Sequence, residues 1–160
     1  MNLAISCEDK SWNEDDVSKI VKECTDAVFE KFEYDTEANI EICFLFTNDD
    51  EIHALNKTFR GVDKPTNVLS FPSFQSDPLE EDEMDEDEPC VLGSVAVAYE
   101  TTFREAEEQG KTFEDHLKHL IVHSLLHLLG YDHINDNEAE EMESLEVEIL
   151  QKINVEDPYK

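Results

Sequence analysis

The chain has few basic residues. Its 160 residues include 12 lysines and arginines against 41 aspartates and glutamates, which gives a formal net charge of −29 at pH 7. Proteins that hold nucleic acids by broad nonspecific contact need a cationic surface. The composition therefore argues against such binding and gives no reason to expect DNA as a ligand. It leaves room for a small, local cationic site.

Membrane-spanning and disulfide-forming patterns are also missing. No apolar run approaches the roughly 20 residues that a membrane span requires. The first residues, MNLAISCEDK, have neither the basic region nor the apolar segment of a signal peptide. The cysteines are scattered and form no C-x-x-C pair, which argues against a cysteine zinc site and favours buried, reduced thiols. We therefore expect a soluble, cytoplasmic protein.

The hydrophobic pattern predicts an α+β fold in a single domain spanning residues 1–160, a length that suits one domain. Strand-like segments lie at 2–6, 38–47, 66–71 and 91–99. Helical patterns lie at 11–32, just after Asn48, and at 100–108, 112–129 and 137–153. Since the strands come mostly first, we expect a small mixed sheet of about four strands rather than a regular βαβ repeat. About five helices should pack with it around the buried 112–129 helix.

Local signals refine these elements. Ser11 and Glu14 match a capping box at the start of the first helix, and Asn48 is a candidate cap for the short second one. Pro65 and Pro72 bracket the third strand, and proline at strand ends is compatible with an edge strand because it cannot donate to a sheet ladder.

One segment interrupts the order of the elements. Residues 77–89, DPLEEDEMDEDEP, contain nine acidic residues in thirteen. Such a block repels itself and cannot form a packed core, so we expect a solvated, disordered loop. A calcium-binding loop is the alternative, but the segment lacks the spacing and the glycine of an EF-hand.

The stretch HSLLHLLGYDH, residues 123–133, holds three histidines in eleven residues. His123 and His127 are four residues apart, so a helix places both rings on one face. Aliphatic residues cover nearly every other direction of this helix, which predicts that it is buried. Two buried imidazoles without partners would each carry a desolvation cost, and a shared divalent metal ion would use both.

A glycine follows the histidine pair. Gly130 stands where helices commonly end in a left-handed residue, so the chain can turn and bring His133 back. Three neutral nitrogens leave a fourth position open on a tetrahedral zinc ion, as is typical of a catalytic site. The alternative is a set of core histidines bonded to ordinary acceptors. His116 and His119 lie on the same broad face, and for them we expect core roles, although His119 could contact a metal ligand.

The spacing H-x3-H-x2-G-x2-H also resembles the metzincin metalloproteases. Those enzymes need a glutamate after the first histidine as general base, and this chain has Ser124 there. Because a serine cannot accept a proton at neutral pH, a zinc peptidase is a disfavoured alternative.

Two signatures together resemble those of the YbeY endoribonuclease family. Members of this family are bacterial metal-dependent ribonucleases that take part in ribosomal RNA maturation and ribosome quality control. One is HSLLHLLGYDH, where the family usually has glycine in place of Ser124. The other is LNKTFRGVDKPTNVLSFP, residues 55–72. LGSVAVA resembles the strand that follows, and EEMESLEVEIL resembles the terminal helix, so the resemblance covers nearly the whole chain.

The resemblance implies three ligands for one divalent metal ion, which we expect to be zinc: His123, His127 and His133. It also implies that Arg60 lines the substrate cleft. An arginine suits this chemistry, because phosphodiester cleavage develops charge on phosphoryl oxygens that a guanidinium stabilises bidentately. Arg60 is flanked by Lys57 and Lys64, and we expect these three side chains to bind single-stranded RNA, with Arg60 acting in catalysis.

Some positions depart from the family pattern. The family often has aspartate where this chain has Asn67 and Ser94. The absence of these two aspartates would lower the negative charge near the expected cleft or alter catalysis. No carboxylate is clearly placed as general base. Asp132 could serve, but we expect it to stabilise the turn or support a metal ligand.

The acidic composition suggests protein partners as well as RNA. A basic ribosomal protein or a GTPase of ribosome assembly would complement a charge of −29. A non-catalytic alternative is a ribosome-associated factor that keeps its metal for structure.

Overall fold

The computed structural model describes residues 1–34, 39–73, 90–132 and 135–159. These residues form the predicted α+β fold. The strands are β1 (Asn2–Cys7), β2 (Ile40–Thr47), β3 (Val68–Pro72) and β4 (Cys90–Ala98). The helices are α1 (Glu14–Lys31), α2 (Asp49–Arg60), α3 (Tyr99–Glu108), α4 (Phe113–Leu128) and α5 (Asp136–Lys152). The predicted acidic loop at 77–89 and the predicted ligand His133 lie outside the described residues.

The strands form one mixed sheet in the order β1-β2-β4-β3. β2 pairs in parallel with both β1 and β4, whereas β3 runs antiparallel to β4 at the sheet edge. The edge position of β3 is consistent with Pro65 and Pro72 at its ends. Alternate side chains of β2, such as Phe44 and Phe46, enter the main core formed with α1, α4 and α5. On the other sheet face, Ile52 of α2 packs against Leu69 and Ala96 in a smaller cluster.

Three of the described helices, α1, α2 and α5, begin after an asparagine cap. The capping box predicted at Ser11 is wrong, because the side chain of Asn13 accepts the hydrogen bond from the backbone N–H of Asp16 at 3.0 Å. Trp12 explains the later start: its buried indole N–H donates to a backbone carbonyl of β2 at 2.8 Å and holds the preceding chain against the sheet. Asn48 caps α2 as predicted.

α4 is the central helix. It contacts α1, α3, α5, β3 and β4, and most of its residues are buried. Gly130 follows it with φ at +98°. The N–H groups of Gly130 and Tyr131 donate to the carbonyls of His127 and Leu126, both at 3.0 Å, so the helix ends in a Schellman motif as the glycine predicts. None of the described helices is long and apolar enough to cross a membrane.

Gly93 lets the end of α4 approach the sheet. Its φ is +150°, and an added Cβ would lie 2.4 Å from the carbonyl oxygen of Phe71 and 2.7 Å from a methyl carbon of Leu128. The β2–β4 register also shifts here. A side chain at this position would therefore push α4 and β3 apart, and these two elements form the site described next.

Candidate active site

A cleft of about 700 Å³ is lined by residues of α4, β3, the end of α2 and the last turn of the chain. β3 and the residues before it supply apolar and uncharged polar residues. The ionisable side chains of the lining are Arg60, His119, His123, His127, Asp132 and Tyr159. The cleft thus brings together the arginine of one sequence signature and two histidines of the other.

His123 and His127 lie one helical turn apart, and their Nε2 atoms are 3.1 Å from each other. Two nitrogens on a tetrahedral zinc ion, with Zn–N distances of about 2.1 Å, would be roughly 3.4 Å apart. The pair therefore has nearly the spacing that two ligands of one ion require. Among the described residues, no group of three or more histidine, cysteine or acidic side chains is placed to hold a metal. The third ligand thus stays a prediction, since His133 lies outside them.

Glu146 of α5 is wholly buried behind this pair. Its Oε1 accepts a hydrogen bond from Nδ1 of His123. With the proton on Nδ1, the Nε2 atom of His123 keeps its lone pair toward His127. A carboxylate behind a metal-binding histidine fixes the tautomer in this way and raises the basicity of the ring.

The second oxygen of Glu146 is also engaged. Its Oε2 accepts from the hydroxyl of Tyr159 and lies 3.1 Å from Nε2 of His119. His119 therefore contacts the carboxylate that orients a predicted ligand. Every oxygen of this buried carboxylate has a partner, as a charge removed from water requires.

These contacts decide the charge of Glu146. Burial would raise its pKa, but hydrogen bonds from His119, His123 and Tyr159 together lower the pKa to about 2. Burial and the Glu146 carboxylate raise the pKa of the Tyr159 hydroxyl well above its usual range. At neutral pH, Glu146 is therefore a carboxylate and Tyr159 a hydrogen-bond donor, so a fixed negative charge stands behind the imidazole pair.

Sequence reasoning missed Glu146, although the pattern of α5 held a signal. The buried residues of α5 are Met142, Glu146, Ile149 and Leu150, which recur at helical spacing. A glutamate on the apolar stripe of a helix must find partners inside the protein. The spacing of Glu146 from its apolar neighbours is therefore a sequence signal for a buried polar group.

Arg60 ends α2 and lines the cleft. Its Nη2 donates to the backbone carbonyl of Ser70 in β3, and its guanidinium carbon lies 5.5 Å from the centre of the Phe71 ring. Lys57 and Lys64 are exposed and are not among the described residues that line the cleft. Of the three predicted RNA-binding cations, the structure brings only Arg60 into the cleft with the histidines.

Asn67 belongs to a second polar cluster at the cleft wall. Its Nδ2 donates to Oε1 of Glu105 at 2.9 Å, and Nε2 of His116 lies 3.0 Å from the same oxygen. His116 is buried, and burial lowers its pKa despite the opposing effect of Glu105. His116 is thus a core residue, as expected, and Asn67 supplies an amide donor that an ionised aspartate would lack.

Two serines lie away from the cleft. The expectation that Ser94 is near it is wrong, because Ser94 lines a separate apolar groove on the sheet. It shares the sheet face of Ala96, which packs toward α2. Ser124 is wholly buried, and its Oγ has no hydrogen-bond partner within the described part of the chain. Neither its chemistry nor its position suits the general base of a peptidase. Asp132 does line the cleft.

The chain is similar to proteins of one family. The family model described as Endoribonuclease YbeY matches residues 2–154. The chain is 52% identical over 122 residues to an Endoribonuclease YbeY of Rhodopseudomonas palustris, covering 76% of this chain and 70% of that protein. It is 47% identical over 146 residues to one of Bradyrhizobium diazoefficiens, covering 91% and 78%. A solution structure from Thermotoga maritima is similar with a TM-score of 0.60 and 25% identity, over 99% of this chain and 95% of that one.

Proposed function

The chain belongs to the YbeY endoribonuclease family, and from this premise we propose that it is a metal-dependent endoribonuclease of single-stranded RNA. We propose ribosomal RNA as its substrate, with roles in rRNA maturation and ribosome quality control in the cytoplasm. The observation that carries the proposal is the convergence of the Nε2 atoms of His123 and His127, 3.1 Å apart, in a cleft that Arg60 also lines.

The residues present fit a divalent metal ion. His123 and His127 would hold it together with His133, and zinc suits three imidazole ligands. The ionised Glu146 behind His123 favours a cation in front of the ring. When bound, such an ion supplies Lewis acidity that polarises phosphoryl oxygens and lowers the pKa of water.

The chain's own residues account for substrate placement. The guanidinium of Arg60 retains donors beyond the one used by Ser70, and these would bind the oxygens of the phosphate to be cleaved. A guanidinium held in advance by the Ser70 carbonyl and the Phe71 ring loses little freedom when the phosphate arrives. Arg60 would thus stabilise the charge that develops on those oxygens during cleavage.

The charge of the chain bears on its partners. At −29, the surface as a whole repels polyanions. We therefore propose that a basic ribosomal protein or a ribosome-assembly GTPase brings the enzyme to its RNA. Such a partner would supply the cationic contacts that the described cleft, with Arg60, provides only locally.

Substitution of the histidine pair tests the proposal. His123→Ala and His127→Ala should each lose the tightly bound metal, as measured by elemental analysis of the purified protein, and each should lose cleavage of a single-stranded RNA. His53 is a matched control, because it is a partly exposed histidine outside the motif whose Nε2 lies 2.7 Å from Oδ1 of Asp63. His53→Ala should keep both properties. If both motif variants retained one metal ion per chain and wild-type cleavage, the proposed site would be wrong.

A further inference from the structure

Tyr159 has a role at each end of its side chain. The hydroxyl donates to Glu146 and lies 3.2 Å from Nε2 of His119. The residue as a whole nevertheless stays 47% exposed and lines the cleft. Within the described lining it is the one phenylalanine, tyrosine or tryptophan. An aromatic ring open to solvent in a cleft, with its polar end fixed, has the form of a surface for stacking.

Further contacts hold the ring in place. It meets the ring of His119 edge to face, with centroids 5.4 Å apart and an angle of 86°. The backbone N–H of Tyr159 donates to Asp157 at 2.8 Å, and Lys111 donates to the carbonyl of Pro158 at 3.1 Å. Because the hydroxyl, the ring and the backbone are each fixed, a ligand that stacks on this ring would cause little loss of side-chain freedom.

Charge gives a reason for a stacking contact here. Phosphate contacts usually dominate the affinity of proteins for nucleic acids. This chain carries −29, and its cleft presents Arg60 as the cation among the described residues that line it. Binding of RNA therefore needs a contribution that does not depend on net charge. Base stacking on an aromatic side chain provides one, and it tolerates any base because each base has a π-face.

We propose that the ring of Tyr159 is the platform on which one base of single-stranded RNA stacks, beside the phosphate held by Arg60. The proposal rests on the proposed function, since the ligand is the RNA that the same cleft would cleave. It assigns to the last described residue of the chain a direct contact with substrate, in addition to its support of Glu146. A duplex would bind poorly, because its bases are already stacked and paired.

The test separates the ring from the hydroxyl. Tyr159→Phe and Tyr159→Trp keep an aromatic ring without the hydroxyl, whereas Tyr159→Leu keeps neither. Phe103→Leu is the matched control, since Phe103 is a 42% exposed aromatic on α3 outside the cleft lining. The probe is a single-stranded 2′-O-methyl oligonucleotide nine bases long with 2-aminopurine at each position in turn. The dissociation constant and the quenching of 2-aminopurine fluorescence are measured on the purified, metal-containing protein.

We expect one probe position to be quenched by the wild type, Tyr159→Phe, Tyr159→Trp and Phe103→Leu. Tyr159→Leu should lose that quenching and bind roughly tenfold or more weakly, the scale of one base–aromatic stack. Binding that weakens equally in the phenylalanine and leucine variants would overturn the proposal, because the hydroxyl would then be responsible. If Tyr159→Leu kept wild-type affinity and quenching, the stacking proposal would be wrong and the proposed function would be unaffected. A wild-type protein that neither bound nor cleaved single-stranded RNA would overturn both.

Discussion

The buried carboxylate of Glu146 accepts a hydrogen bond from Nδ1 of His123. Glu146 is wholly buried, and its Oε1 accepts from the imidazole, whose Nε2 meets that of His127. The partners lie 23 residues apart, on α5 and α4. The packing of these two helices therefore sets the orientation of a predicted metal ligand, and changes inside α5 should reach the cleft.

Glu146→Gln should weaken metal binding. The amide keeps the shape of the side chain but removes the negative charge behind His123 and no longer fixes its tautomer. Loss of such a partner lowers metal affinity about 10- to 100-fold. Competition titration with a chromogenic chelator measures the affinity. Glu141→Gln, a change on the exposed face of the same helix, is the control, and equal affinity in both variants would contradict the role of Glu146.

Arg60→Ala should lower the rate of single-stranded RNA cleavage roughly 100-fold, about 2.7 kcal/mol, which is the scale of one preorganised donor. Arg60→Lys should lose less, because it keeps the charge without the planar fork. The metal content should stay unchanged in both. Arg104→Ala removes the same charge outside the cleft lining and should cleave at the wild-type rate. Wild-type cleavage by Arg60→Ala over a range of salt concentrations would refute the phosphate contact.

Asn67→Asp should destabilise the fold by about 1–2 kcal/mol. Asn67 donates to Oε1 of Glu105 at 2.9 Å, and an ionised aspartate would replace this bond with repulsion between two carboxylates. Urea unfolding measures the change. In a Glu105→Gln background the penalty should disappear, because the amide of the glutamine can donate to the new carboxylate. An equal penalty in both backgrounds would show that another contact is responsible.

His116 should make the stability depend on pH. Its pKa in the folded protein lies below the ordinary value of 6.5 because it is buried. Above pH 6.5 the ring is neutral in both states. As the pH falls through 6.5 toward the lower folded pKa, the unfolded chain takes up a proton that the native protein excludes, so stability is lost. The free energy of unfolding should therefore fall less from pH 7.5 to 5.5 in His116→Gln than in the wild type. Parallel profiles would contradict this assignment.

The predictable part of the fold was local. The period of apolar residues gave the type of each described helix and strand, and Asn48 and Gly130 marked a helix start and a helix end that the structure contains. The order of the strands was not predictable, because β4 enters between β2 and β3 through packing of segments distant in sequence. The capping box predicted at Ser11 failed for a related reason, because the burial of Trp12 on the sheet decides where α1 begins.

The candidate site also has a part that could be predicted from the sequence and a part that could not. His123 and His127 could be paired from their spacing, because one helical turn brings them together. Glu146 and Tyr159 reach them from α5 and the end of the chain, 23 and 36 positions after His123, through tertiary packing that spacing does not encode. Ser94 was misplaced because the family pattern gave its identity but not the sheet face on which it lies.

Metal removal and restoration test the central claim most directly. The purified protein is treated with a chelator, and cleavage of a single-stranded RNA is followed together with circular dichroism, before and after a divalent ion is added back. We predict that cleavage disappears while the helical signal persists, and that zinc or another divalent ion restores cleavage. Cleavage that continued in protein shown to be metal-free would contradict a metal-dependent endoribonuclease. Unfolding on metal removal would instead support a structural metal.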